Sequence, residues 1–136
     1  LVLTVTVTPP VIPIASWRSA NFGASAYNAD IAGDLADPDG DGVRNLLEYA
    51  AGTDPCVADT LPWSFALENG FLTVTVLKNP IATNVTWGAE SSPDLTGWNA
   101  NDTTILQNTT TVFEVRDNFP SATNSCRFLR LMISAP

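Results

Sequence analysis

Apolar and polar residues alternate from the first position of the chain. Leu1, Leu3, Val5 and Val7 share one face of LVLTVTVT, and Val2, Thr4, Thr6 and Thr8 share the other. A period of two with β-branched residues predicts a strand. Pro9-Pro10 closes it, and VIPI extends it as a stiff linker, because proline cannot donate to a ladder. From Ser16 the pattern changes. Ser16 is placed to cap a short helix through Trp17 to Phe22. Further on, VRNLLEYAAG sets Val43, Leu46, Leu47 and Ala50 at helical spacing, with Gly52 as its stop. Beyond residue 60 the period returns to two. LPWSFAL, FLTVTVLK, NVTWGAES, TTILQ, TTVFEVRD and CRFLRLMI are six predicted strands, separated by turn signals such as Glu68-Asn69-Gly70 and Ser92-Pro93-Asp94.

The expected architecture is therefore mainly β. It is an antiparallel sandwich, Ig-like or jelly-roll-like, preceded by a short helical segment. Residues 1–15 form the strand and linker, 16–59 the helical segment, and 60–136 the sandwich. The last two are expected to pack as one domain, which suits 136 residues.

Between the helical stretches lies D-P-D-G-D-G-V-R-N-L-L-E, residues 37–48. It fits the EF-hand-like loop pattern D-x-[DN]-x-[DN]-G-x5-E. Asp37, Asp39 and Asp41 supply carboxylates at positions 1, 3 and 5, and Gly42 allows the sharp turn. Val43 offers its carbonyl, Asn45 reaches directly or through water, and Glu48 closes the site from the following helix. Calcium is a hard ion that takes six to eight oxygens, so alternate carboxylates around a tight turn suit it, and magnesium suits such an all-protein cage less well. A solvated acidic turn is the plainer reading of the same residues. One loop and one methionine point to a structural site and not to a sensor, which pairs such loops over a Met-rich groove.

Composition narrows the partners. A net charge of −8 with six basic residues excludes a phosphate-binding footprint, and hence nucleic acid. No apolar run is long enough to span a membrane. Residue 1 is Leu, so the chain reads as a processed product; Leu1–Thr8 lacks the basic region and cleavage site of a signal peptide. With no histidine, a Ser-His-Asp triad and a His-type zinc site are excluded within this chain. Glu90 and Asp94 are a conceivable acid–base pair, but nothing distinguishes them among fourteen carboxylates, so no enzyme is expected. Cys56 and Cys126 are expected to form one disulfide, which would stabilise by roughly 4 kcal/mol in the chain-entropy account; two buried free thiols are the alternative. Three N-x-[ST] matches, at Asn84, Asn101 and Asn108, are what Thr/Asn-rich strands produce by chance.

DPDGDGVRNLLEYAAGTDP resembles the calcium loops of thrombospondin type 3 and dockerin-type repeats. Taken with WR…NFG before it, and ESSPDLTGW and RFLRL after it, residues 16–136 resemble a calcium-loop plus β-sandwich module found at the C-termini of large secreted bacterial proteins. The resemblance implies an extracellular or cell-surface location and a structural role. It implies Asp37, Asp39, Asp41, Asn45 and Glu48 as ligands, assisted by Asp34 or Asp54. The two cysteines, and the single strand ahead of the module, depart from that pattern.

Leu1–Thr8 has two readings: a strand of its own sheet, or a strand donated to a sheet edge of another copy, giving a filament or surface layer. The first function expected is thus a calcium-stabilised, self-assembling structural module. The alternative is a carbohydrate-binding accessory domain of a larger secreted enzyme, with Trp17, Trp63, Trp87 and Trp98 as stacking candidates and polysaccharide as partner.

Overall fold

Hairpin chemistry organises the second half of the chain. In the computed structural model, which describes residues 12–58, 60, 62–123 and 126–136, strand β1 (Trp63–Glu68) turns directly into β2 (Phe71–Leu77). The two linking residues have positive φ, 53° at Asn69 and 86° at Gly70, as a tight hairpin turn with the twist of its strands requires. β3 (Thr86–Ser92), β4 (Thr103–Asn108), β5 (Val112–Asp117) and β6 (Phe128–Ser134) complete the six predicted strands. They form a four-stranded sheet in the order β1-β2-β5-β4 and a two-stranded sheet β3-β6, all antiparallel.

Alternation decides what fills the space between the sheets. Val74, Val76, Phe113 and Val115 from the larger sheet meet Trp87 and Ala89 from the smaller. Trp87 stacks on Phe113 with centroids 5.6 Å apart. Each such full burial contributes roughly 1.5–3 kcal/mol against exposure. Edge strand β4 carries a register shift between Ile105 and Gln107, a bulge of the kind that blunts a free edge.

The helical segment consists of α1 (Ile14–Phe22), a 3-10 turn (Gly23–Ser25), α2 (Ala29–Ala32) and α3 (Asn45–Ala51). α1 starts two residues before the expected cap. Pro13 takes the N-cap position and its carbonyl accepts from the Ser16 and Trp17 N–H groups; the fixed φ of proline favours a start there. α3 ends where predicted, at Gly52, whose φ of 84° is left-handed. Asn79, just after β2, ties α3 to the sandwich: its N–H donates to the Ala50 carbonyl (2.8 Å) and its side-chain amide to that of Tyr49 (3.0 Å). Leu47 and Ala50 then pack on the core.

The strand over residues 1–8, with Leu1, Leu3, Val5 and Val7, lies outside the described residues. The expected disulfide is not formed: Cys56 and Cys126 are both free and exposed. They are anchored to different parts of the fold. The Cys56 N–H is held by Asp54 and its sulfur lies 3.8 Å from the Asn21 carbonyl, whereas Cys126 precedes Arg127, which is bound into the sandwich.

Candidate metal centre

The acidic loop closes on itself through its own backbone. Asp37 receives the Gly40 N–H on one carboxylate oxygen (2.9 Å) and the Gly42 N–H on the other (3.0 Å). Asp39 receives the Asp41 N–H, and Asp41 receives that of Val43. Gly42, with φ of 90°, supplies a turn that a side chain would strain. At the base of the loop, the Asn45 N–H donates to the Ala36 carbonyl and the Leu46 N–H to that of Asp34. One carboxylate oxygen from each of Asp37, Asp39 and Asp41 lies within 4.8 Å of the other two.

α3 carries Asn45 and Glu48, both fully buried. The Asn45 amide donates to the Ile31 and Gly33 carbonyls at 2.8 and 2.9 Å, which fixes its orientation and leaves Oδ1 without a hydrogen-bond partner. Glu48 Oε1 accepts from the Thr53 hydroxyl at 3.5 Å, while Oε2 has no partner. Asp39 Oδ2 is likewise buried and unpaired. Among the described residues these are the buried side-chain oxygens that lack a hydrogen bond. Leaving a buried acceptor unsatisfied costs about 1–3 kcal/mol, and more when it is charged.

Electrostatics sharpen the misfit. Burial, and then the charges of Asp39, Asp41 and Asp37, raise the Glu48 carboxyl from 4.5 to about 7. Burial and the Asp41 and Asp37 charges raise that of Asp39, against the pull of the Asp41 N–H. Glu48 stands outside the 4.8 Å triplet but feels all three of its charges. The donor set is hard oxygen throughout, which fits calcium and offers nothing to a softer metal. Val43 is buried at the seventh position, where the pattern uses its carbonyl. Of the two assisting residues, Asp34 is paired with Arg18, and Asp54 accepts from the Cys56 N–H.

Other residues singled out by the sequence have partners elsewhere in the fold. Glu90 faces Arg130 across β3 and β6 and pairs with it at 2.6 Å, and the Arg130 guanidinium covers the Trp98 ring at 4.3 Å. Asp94 accepts the Thr96 and Gly97 N–H groups, which hold its carboxyl well below the usual range. Trp87 is core, and Trp17 packs edge-on against Phe22 and Tyr49. The site that sequence reasoning missed is a buried ion pair. Arg127 grips Asp117 through two bonds of 2.6 and 2.8 Å and donates to Ser91 at 2.8 Å. The strand pattern marks Asp117 and Arg127 only as polar residues near strand ends, so nothing in the sequence signals their pairing.

Comparison with protein-family models, with curated proteins and with solved structures finds no match to this chain.

Proposed function

We propose that this chain is a calcium-stabilised, non-enzymatic structural module of an extracellular or cell-surface assembly. The observation that carries the reading is the set of three buried, unpartnered oxygens, Asp39 Oδ2, Asn45 Oδ1 and Glu48 Oε2, all within the twelve-residue stretch that holds the Asp37–Asp39–Asp41 triplet. Without a cation they have neither hydrogen bond nor counter-charge; with one, the same oxygens become ligands. Asp37, Asp39, Asp41, Asn45 and Glu48 would hold the ion together with the Val43 carbonyl. The ion supplies charge neutralisation and a fixed crossing point for the loop. Because Glu48 stands on α3, and α3 is bonded to Asn79 and packed on the core, that crossing point braces the helical segment against the sandwich.

Self-association through Leu1, Leu3, Val5 and Val7 belongs to the same proposal. A sugar-stacking role has less support, since Arg130 already covers a face of Trp98.

Thermal melting with calcium and with chelator tests the ion. Calcium at about 100 times its Kd stabilises by about 2.7 kcal/mol, which for a domain of this size is roughly 10 °C in Tm. Equal melting temperatures, with no calcium uptake by calorimetry, would overturn the reading.

A further inference from the structure

We infer that the open side of the sandwich, between β1 and β6, receives Leu1–Thr8 of a second copy as an added strand beside β6; this rests on the structural-module reading above. The smaller sheet has two strands where the larger has four. Trp63, Phe65 and Leu67 lie opposite Val76, Val74 and Leu72 in the β1–β2 register, and Val74 and Val76 are core. These three residues therefore stand on the face of β1 that should be interior. Yet Phe65 and Leu67 are 61% and 64% exposed. The uncovered space is a groove of about 230 Å³ lined by Leu47, Trp63, Phe65, Val74, Leu129 and Leu131, all apolar. Beside it, among the described residues, β6 pairs only with β3, so its other edge offers an unused row of backbone donors and acceptors. The β4 edge is bulged; the β1–β2 and β3–β6 registers run without a shift. The protected edge and the open ones lie on different strands.

The chain contains a segment with the form this groove takes. As a strand, Leu1, Leu3, Val5 and Val7 would share one apolar face, and Val2, Thr4, Thr6 and Thr8 a mostly polar one. Eight residues extend about 26 Å, enough to run the seven of β6.

Connectivity selects a second copy over the segment's own domain. Ile12 is held by the Ile81 carbonyl, which accepts its N–H, and by the Tyr49 hydroxyl, which donates to its carbonyl at 2.6 Å. Tyr49 and Leu47 are two positions apart on α3, about 200° round the helix, and Leu47 lines the groove. The chain thus enters on the far side of α3. Four residue steps from Thr8 to Ile12, with two prolines, cover about 12 Å. The path round half of a helix 10–12 Å wide is roughly 16–19 Å. The donated strand reaches a neighbour's groove, and a head-to-tail contact of this kind propagates as a filament.

Light scattering and electron microscopy in calcium test this with Val5→Asp, which spoils the donor, and Phe65→Asp, which spoils the acceptor at an exposed position. The full chain should polymerise, and each variant alone should be monomeric with an unchanged circular dichroism spectrum. An equimolar mixture should give discrete heterodimers, since only one pairing remains. Polymers that survive both substitutions would overturn the inference. So would a monomeric full chain, whether Val5→Asp lowers its Tm, which would mean the segment fills its own groove, or leaves it unchanged. Melting the same proteins with chelator separates the two readings. A calcium-dependent Tm without assembly sinks the strand alone, and assembly with a calcium-independent Tm sinks the ion alone.

Discussion

The carboxyl of Glu48 is fully buried, with Thr53 on one oxygen and no partner on the other, and it faces the charges of Asp39, Asp41 and Asp37. In the absence of a cation it therefore opposes folding when ionised. Glu48→Gln removes the charge and keeps the shape. In chelator at neutral pH this variant should melt at the same temperature as the parent or a few degrees above it. In calcium it should lose most of the roughly 10 °C increment that ligand binding gives. Fluorimetry with and without calcium reads both signs, and a variant destabilised equally in the two conditions would show that Glu48 is only a packing residue. Gly42 is a second single-residue test. Nothing lies near where its Cβ would stand, so the cost of Gly42→Ala comes from its φ of 90°. It should be about 1–3 kcal/mol by urea unfolding.

Among elements, the join of β5 to the start of β6 depends on Arg127, Asp117 and Ser91. Burial by itself raises the Asp117 carboxyl, but Arg127, the Phe119 N–H and Ser91 outweigh it and hold the carboxyl below its ordinary value. The arginine also stacks on Phe119 at 4.4 Å. Arg127→Ala leaves a buried carboxylate uncompensated and should cost about 3–5 kcal/mol in urea. The pH dependence has a defined sign. The folded Asp117 has a lower pKa than the unfolded one, near 3.8, so its contribution is present above that value and is lost as pH falls below it. Arg127→Ala should accordingly flatten the acid limb of the stability curve below about pH 4. A parallel acid limb in the variant would place the loss elsewhere.

For the whole molecule, stability divides along the join between α3 and the sandwich. β2 and β5 are central, and their inward side chains are core. α1 buries no residue fully, and α2 buries only Ala32. Chelation should therefore speed amide hydrogen exchange over residues 29–51 while β2 and β5 remain slow. Uniform acceleration across the chain would mean that the ion supports the entire fold and not one segment. The net charge of −8 adds to this division, since the ion neutralises the densest part of it.

Local rules carried the sequence a long way. Period-two runs gave six strands, the Asn69-Gly70 pair gave a hairpin turn, and Gly52 ended α3, because each depends on a few neighbouring residues. The acidic loop was legible for the same reason: its spacing alone converges Asp37, Asp39 and Asp41. What depended on distant partners was not legible. That Cys56 and Cys126 remain free thiols, and that Arg127 meets Asp117, depends on where distant segments fold. Pro13 in place of Ser16 at the start of α1 is a local competition that proline's fixed φ decides. The strand order, and with it the pairing of β6 with β3 alone among the described residues and the exposure of Phe65, is set by packing between sheets, which no period along the chain records.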